Sequence, residues 1–275
     1  MRLQDQVILI TGGSRGVGAA VARAVAREGA HVALAGKTLE PHPKLAGTLV
    51  EVAEEIRALG REALIIQTDI RFPDAVEAMV AKTVEHFGRL DALVNNAGAI
   101  FWGTTTEFPV KRYDLVMDVN VRGAFLASQA AIPHMRERGG HIVMMSPPIN
   151  PKAAVGKAPY IVSKFGMTMV GMAIDAEEPS IAAHALWPIT GIRTAATMNL
   201  GMGGDDEWRT PEILADATVE LLAKTPADCT FRAWLDEDVL AEAGVTDLDQ
   251  YSCVPGSTPE PMSIMLVDPD WTPST

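Results

Sequence analysis

The chain has 275 residues, 48% of them hydrophobic, and carries 35 acidic against 23 basic residues, a formal net charge of −12. This length suffices for one large domain or two small ones. The acidic excess argues against broad nucleic-acid binding, which needs a basic face, but leaves a local basic pocket open. Cys229 and Cys253 lie far apart without metal-ligand spacing, so free thiols in a reducing compartment and no metal site are expected.

Targeting signals are not evident in the sequence. An apolar run near the N-terminus begins at Val7, but Gly12-Gly13 interrupts it and no small-residue cleavage pattern follows, so it predicts a strand rather than a signal peptide. No apolar stretch is long enough to cross a membrane, and the last residues do not form a Ser-Lys-Leu address. We therefore expect a cytoplasmic protein without a membrane partner.

Strand-like and helix-like patterns alternate along the chain. Predicted strands cover residues 6–11, 31–35, 63–67, 92–95, 141–145, 182–187 and 230–235, and predicted helices cover residues 17–28, 73–87, 111–138, 159–176 and 211–223. This alternation indicates a parallel sheet with helices on both faces. The sequence thus predicts an α/β fold, a single doubly wound Rossmann-type domain over residues 1–275 with a seven-stranded parallel sheet.

Three segments interrupt the alternation. Residues 38–47, which contain Pro41 and Pro43, form a long link between a strand and a helix. Residues 190–210, with Gly201, Gly203 and Gly204, resemble a mobile substrate lid. Residues 240–275 are rich in Pro, Gly and Asp and predict an irregularly packed C-terminal tail.

A glycine-rich loop connects the first predicted strand to the first helix. It includes the predicted cofactor-binding residues Gly12, Gly13, Ser14, Arg15, Gly16, Val17 and Gly18. Glycines let a backbone turn tightly and approach a pyrophosphate, whose charge a helix N-terminus favours. The spacing is Gly-x-x-x-Gly-x-Gly rather than Gly-x-Gly-x-x-Gly, and an ordinary turn is the alternative.

The end of the second strand indicates which nicotinamide cofactor binds. NAD sites place an acidic residue there for the ribose 2′-hydroxyl, but this chain has Lys37 and no acid. Lys37 and Arg15 could instead meet a 2′-phosphate, although each could be a plain surface charge. The prediction is NADP(H) in preference to NAD(H).

A Tyr-x-x-x-Lys pair, Tyr160 and Lys164, opens the predicted helix 159–176. Residues four apart share a helix face, so the phenol and the ammonium can point at one spot. A nearby cation favours the phenolate and lowers the tyrosine pKa from about 10, which suits acid–base catalysis. A solvated helix face is the alternative for this pair taken alone.

Three motifs in this order carry a family resemblance: the glycine loop, Asn95-Asn96-Ala97-Gly98 and Tyr160-x-x-x-Lys164. Together they resemble the short-chain dehydrogenase/reductase family, over about residues 6–235. Matching stretches at 37–48, Ser146-Pro147-Pro148 and 185–190 resemble more narrowly the hydroxysteroid dehydrogenase-like 2 group. Animal members of that group carry an added sterol-carrier domain, for which we expect this chain to be too short.

The resemblance implies four catalytic residues. Ser146 would hydrogen-bond the substrate carbonyl and Tyr160 would exchange a proton with it. Lys164 would lower the tyrosine pKa and bind the nicotinamide ribose, and Asn120 would hold a water linked to that lysine. Ser146 could instead be a strand-end turn residue, and Asn120 could mark a kink or bond back to its own helix.

The resemblance also implies further cofactor contacts. Asp69 and Ile70 would meet adenine, and Asn96, Ala97 and Gly98 would line the nicotinamide side. The carboxamide segment would include Pro188, Thr190, Ile192 and Thr194. This chain has Ile189 where many members have glycine, which puts the shape of that segment in doubt. Trp102 is interpreted equally well as a pocket wall or as core.

The combined prediction is an NADP(H)-dependent oxidoreductase that moves a hydride between nicotinamide and a carbonyl or alcohol carbon of a small apolar or acyl substrate. An NADP(H)-binding sensor or scaffold without turnover is the alternative, and reduction of a carbon–carbon double bond is a third interpretation. The predicted helices 111–138 and 159–176 resemble those that pair between subunits in the family, so a homodimer or homotetramer is expected.

Overall fold

The computed structural model describes residues 1–41, 46–148 and 155–261. The strands within these ranges are β1 (Val7–Thr11), β2 (His31–Gly36), β3 (Ala63–Gln67), β4 (Ala92–Asn95), β5 (Gly140–Met145), β6 (Ile181–Trp187), β7 (Gly191–Ile192), β8 (Trp208–Arg209) and β9 (Arg232–Leu235). Seven of them form one sheet in the order β3-β2-β1-β4-β5-β6-β9, in which every pair is parallel. The other two, β7 and β8, pair separately.

The helices in the described ranges are α1 (Gly16–Arg27), α2 (Leu49–Ala58), α3 (Pro73–Phe87), α4 (Val110–Met117), α5 (Gly123–Met135), α6 (Ala158–Glu177), α7 (Ala195–Asn199), α8 (Glu212–Leu222) and α9 (Asp236–Glu242). Local signals fix several ends. Thr48 and Glu51 form a reciprocal capping box that starts α2. Gly88, in the left-handed conformation with φ 73°, ends α3.

The core lies on both faces of the main sheet. Ile8 and Ile10 of β1 pack with α1, α2, α8 and α9, whereas Val7 and Leu9 pack with α3, α5 and α6. Alternate residues of one strand thus enter opposite layers, as a sheet covered on both sides requires. The predicted doubly wound α/β fold is confirmed.

The single predicted helix 111–138 differs from the structure. A π-helical turn at Asp118–Arg122 separates α4 from α5, and the helix ends at Met135. Hydrophobic periodicity persists through a single wide turn, which explains why the sequence pattern did not reveal it. The interruption lies next to the candidate site described below.

The three irregular segments have partial structure. Residues 42–45, within the predicted link and the stretch 37–48 of the resemblance, lie outside the described residues, as does the tail from 262 onward. The predicted lid 190–210 contains β7, α7 and β8. The described part of the tail includes a 3₁₀ turn at Asp249–Tyr251, and Ser252 forms an antiparallel bridge with Arg209. None of the helices within the described ranges is long and apolar enough to cross a membrane.

Two buried histidines meet across β5 and β6. His141 Nε2 lies 3.0 Å from the carbonyl oxygen of Lys224, and His141 Nδ1 lies 3.2 Å from His184 Nε2. Because the carbonyl only accepts, His141 Nε2 carries its proton, and His184 Nε2 donates to His141 Nδ1. Burial lowers both pKa values, that of His184 to about 3, so both imidazoles are neutral in the folded chain.

This histidine pair predicts a loss of stability in mild acid. Below about pH 6.5 the unfolded chain binds protons that the folded chain excludes, so the free energy of unfolding falls as pH falls. At pH 5.0 His184 alone should remove about 2 kcal/mol relative to pH 7.5. Urea titrations at both pH values should show a smaller acid loss for His184→Gln than for the unsubstituted chain. His134→Gln, an exposed site on α5, is the control; equal acid losses in all three proteins would contradict the assignment.

Candidate active site

A cavity of about 670 Å³ opens at the carboxyl ends of the strands, beside the point between β1 and β4 where the strand order reverses. Ligands of open α/β sheets bind at such a point. The cavity brings together residues far apart in the sequence. Its lining includes Gly12, Ser14, Arg15, Gly16, Val17, Lys37, Asp69, Ile70, Asn96, Ala97, Gly98, Ser146, Tyr160, Lys164, Pro188, Thr190, Ile192 and Thr194. Of the predicted catalytic and cofactor-binding residues, Gly13, Gly18 and Asn120 are not among its lining residues.

The glycine loop follows β1 and leads into α1. Gly12 has φ 69° and lies against Ala97, where an added Cβ would be 2.9 Å from the Ala97 Cα. Gly18 has no room for a Cβ because Asn96 and the Gly12 carbonyl fill that space. At the start of α1, the side chain of the N-cap residue Arg15 makes no capping hydrogen bond to the first N–H groups. N–H groups at a helix start can bind an anion, which the helix dipole favours.

Thr11 joins the glycine loop to the segment after β4. Its Oγ1 accepts hydrogen bonds from the backbone N–H groups of Asn96 and Ala97, both at 3.1 Å, and donates to the Val94 carbonyl. The Asn96 amide in turn donates to the carbonyls of Thr11 and Gly12. The side chain of Asn96 thus holds the backbone of the glycine loop, and the segment Asn96-Ala97-Gly98 lines the cavity. Gly13 packs against Leu34 on the far side of the loop.

A cationic corner lies where β2 and β3 end. Lys37 is largely exposed, with its Nζ 3.8 Å from Asp69. Arg71, which sequence reasoning missed, forms a bidentate pair with Asp69, and this pair lowers the carboxyl pKa. Arg15 donates to the carbonyl of Gly47 at 2.9 Å, so it ties the link before α2 to the glycine loop.

Tyr160 and Lys164 lie on one face of α6, with the Lys164 Nζ 6.0 Å from the centroid of the tyrosine ring. The expectation that the lysine lowers the tyrosine pKa is wrong for the chain alone: burial raises the Tyr160 pKa. Burial also lowers the Lys164 pKa, to about 8. The Lys164 ammonium donates to the Met145 carbonyl at 2.7 Å, which fixes it at the end of β5.

Asn120 lies in the π-helical turn and is completely buried. Its Oδ1 accepts from the Ala99 N–H at 2.7 Å, and its Nδ2 donates to the Ala99 carbonyl and to Ser163 Oγ. Ser163, also missed by sequence reasoning, donates to the Tyr160 carbonyl. A π-helical turn interrupts the helix at this position, and the side chain bonds other segments rather than its own helix. Asn120 therefore connects the segment after β4 to the first turn of α6.

Ser146 follows β5 and is buried at the wall of the cavity. Its Oγ lies 3.0 Å from the indole Nε1 of Trp187 and 3.1 Å from the hydroxyl of Thr168. Sequence reasoning named neither neighbour. Thr168 lies four residues after Lys164, on the same face of α6, and this spacing is a signal that could have found it.

Trp102 packs edge-on against Tyr160, with ring centroids 5.2 Å apart. The Lys157 ammonium lies over the other part of the indole, 5.3 Å from its centroid. Trp102 is half-buried. Trp102 therefore contacts Tyr160 but is not among the residues that line the cavity.

The segment after β6 is fixed by a buried carboxylate. Asp236 Oδ1 accepts from the Ile189 N–H at 3.1 Å and from the Glu237 N–H, and burial raises the Asp236 pKa to about 7. The Ile189 side chain packs with Trp187 and Leu235. Isoleucine therefore fits where many family members have glycine, because its side chain has apolar partners.

Three comparisons with known proteins agree with this geometry. A family model described as short chain dehydrogenase matches residues 6–201. Hydroxysteroid dehydrogenase-like protein 2 of Xenopus tropicalis is 43% identical over 260 residues, 93% of this chain and 62% of the relative. Its human counterpart is 41% identical over 265 residues, 94% of this chain and 63% of the relative. This chain thus spans less than two thirds of the length of either relative.

A solved structure is similar over nearly its whole length. A short chain dehydrogenase from Mycobacterium thermoresistibile is 46% identical, with a TM-score of 0.88, and the match covers 97% of each chain. The resemblance predicted from the sequence is confirmed. Within the ranges that the structure describes, no three His, Cys, Asp or Glu residues come together as metal ligands.

Proposed function

Because this chain belongs to the short-chain dehydrogenase family, whose members are NAD(P)-dependent oxidoreductases, we propose that it moves a hydride between NADP(H) and a carbonyl or alcohol carbon. One observation supports this most directly: Ser146, Tyr160 and Lys164 line the same cavity as the glycine loop. A dinucleotide that reaches from that loop toward α6 would bring its nicotinamide to these three residues. The fit of a dinucleotide follows from the N–H groups at the start of α1 and the close glycine packing.

The proposed roles follow from the protonation of the site. Bound NADPH would supply the hydride. Because burial raises the pKa of Tyr160, the phenol is protonated at neutral pH and can give its proton to a carbonyl oxygen. Ser146 donates a second hydrogen bond to that oxygen, where negative charge develops. The Lys164 ammonium is held by the Met145 carbonyl. In this position it would bind the ribose of the nicotinamide.

The cavity wall favours an apolar or acyl substrate. Ile100, Leu115, Val119 and Pro147 line the same cavity as Ser146 and Tyr160, and so does Met202 of the segment 190–210. Within that segment, the Trp208 indole donates to the Met202 carbonyl at 3.4 Å. We assign the segment as a substrate lid. The names of the relatives mention hydroxysteroids, but a fold and a name do not determine a substrate.

Replacement of Tyr160 tests the proposed chemistry. Tyr160→Phe should keep NADPH binding, measured by NADPH fluorescence, and lower turnover of a responsive ketone or aldehyde by about 100-fold or more. Tyr113→Phe, at an exposed tyrosine of α4, is the matched control and should keep full turnover. Full activity of Tyr160→Phe would reject the assignment. Tight NADPH binding with no turnover of any carbonyl by the unsubstituted protein would favour the sensor function instead.

The proposed preference for NADP(H) rests on two cations, Lys37 at the end of β2 and Arg15 in the glycine loop. Replacement of Lys37 tests this preference. A hydrogen-bonded charge pair contributes about 1.5–3 kcal/mol, so Lys37→Ala should weaken NADPH binding by about 10- to 100-fold and leave NADH binding nearly unchanged. Parallel fluorescence titrations with both cofactors measure this. Lys82→Ala on α3 is the control, since Lys82 is exposed and outside the cavity. Equal losses for both cofactors would exclude a contact between Lys37 and the 2′-phosphate.

The outer face of α6 supports the expected homo-oligomer. Val162, Phe165, Met169 and Met172 are 45–52% exposed and recur at helical spacing. Phe125 of α5 is also exposed, at 48%. A contiguous apolar face of this kind indicates a contact between subunits. We propose that two copies of the chain pair through α5 and α6.

Light scattering tests this pairing. Phe165→Glu should reduce the mass from that of a dimer or tetramer to that of a smaller species, because it places a charge in the apolar face. Phe72→Glu is the control, since Phe72 is 56% exposed and lies at the start of α3. If the unsubstituted protein is already monomeric, the proposed pairing through α5 and α6 is wrong.

A further inference from the structure

The hydroxyl of Ser146 is held by two neighbours whose hydrogen-bonding directions can be assigned. The direction of the bond with Trp187 is the simpler one to assign, because an indole N–H can only donate. The 3.0 Å contact is therefore a bond from Trp187 Nε1 to Ser146 Oγ, and it occupies one lone pair of the serine oxygen. Trp187 is 5% exposed, at the end of β6 beside β5.

The direction of the Thr168 bond follows from a comparison with other helical hydroxyls. Thr83, Thr218 and Ser128 are buried in helices and donate to the carbonyl four residues earlier. Thr168 does not make this bond; among the described residues the partner of its hydroxyl is Ser146 Oγ, at 3.1 Å. A buried hydroxyl that donates to nothing is costly. Ser146 lines the cavity and can turn its proton there, whereas Thr168 does not line it, so Thr168 is assigned as the donor to Ser146.

We propose that Trp187 and Thr168 are positioning residues that occupy both lone pairs of Ser146 Oγ and so direct the serine proton into the cavity. A hydroxyl oxygen has two lone pairs and one proton, and with both lone pairs used only the proton remains. Ser146 is then a donor to the substrate oxygen and does not accept from Tyr160. This inference rests on the proposed function only for the identity of the oxygen that receives the proton.

The two donated bonds also strengthen the one that Ser146 makes. Hydrogen bonds in a chain polarise one another, by about 10–30% per bond in condensed-phase estimates. The effect is largest where charge develops on the acceptor, which is the substrate oxygen in the transition state. Loss of either neighbour should therefore lower kcat more than it raises KM.

The kinetic test is a double-mutant cycle. Thr168→Val keeps the side-chain shape and removes the donor, and should lower kcat about three- to tenfold with KM for the carbonyl and NADPH affinity nearly unchanged. Thr168→Ser should restore kcat, because it returns the hydroxyl. In a Ser146→Ala background, Thr168→Val should change kcat by less than about twofold, because its effect passes through Ser146. Thr218→Val in α8 is the matched control, a buried threonine that donates to a carbonyl of its own helix.

A second measurement does not need turnover. The Trp187 indole proton can be observed by NMR with ¹⁵N-labelled tryptophan and assigned with Trp187→Phe. Ser146→Ala should move this signal upfield, as expected for a lost hydrogen bond, and leave the Trp234 indole signal in place. Trp234 is the internal control, since its Nε1 is buried without a partner among the described residues.

The outcomes separate the inference from the proposed function. An unmoved Trp187 signal in Ser146→Ala overturns the positioning role, whatever the activity. Equal losses from Thr168→Val with and without Ser146, or a Thr168→Ser variant that stays impaired, also overturn it. An unsubstituted protein that reduces no carbonyl rejects the proposed function, while the NMR signal still decides whether Trp187 holds the serine.

Discussion

Hydrogen bonds to buried polar groups hold the loops at the carboxyl edge of the sheet. A buried donor or acceptor without a partner is costly, so the strand ends can carry polar residues only where neighbouring segments satisfy them. Thr11 does this for the segment after β4, and Asn120 does it for Ala99 and the first turn of α6. Each of these bonds joins segments distant in the sequence. The shape of the cavity therefore depends on a network that the fold must complete, rather than on any one loop.

Burial also determines the electrostatics of the site. In the chain alone, the loss of solvent raises the pKa of Tyr160 and lowers that of Lys164, because each charged form is poorly solvated there. Attraction between a Tyr160 phenolate and the Lys164 ammonium does not outweigh this loss of solvation. The ammonium lies 6.0 Å from the centroid of the tyrosine ring and donates its hydrogen bond to the Met145 carbonyl. The result is a protonated phenol beside a cation, a pair suited to proton donation.

The sequence predicted features that depend on local pattern. Strand and helix alternation follows from hydrophobic periodicity, and the seven strands of the main sheet match the prediction with ends within two residues. The family resemblance implied that Ser146, Tyr160 and the glycine loop share one site, and residues of all three line one cavity. Two contacts of the site were not predicted: Arg71 pairs with Asp69, two residues earlier in the loop after β3, and Trp187 of β6 donates to Ser146 after β5. Such pairs depend on register and side-chain direction, which periodicity does not encode.

The unusual residues after β6 are best understood together. Trp187 and Ile189 share an apolar cluster with Leu235, and β6 pairs with β9 so that Trp187 lies opposite Leu235. Asp236, directly after β9, holds the Ile189 backbone. The same short segment thus receives support from the last strand of the sheet and presents an indole to Ser146. Trp187 therefore contacts both the last strand of the sheet, through Leu235, and the hydroxyl of Ser146.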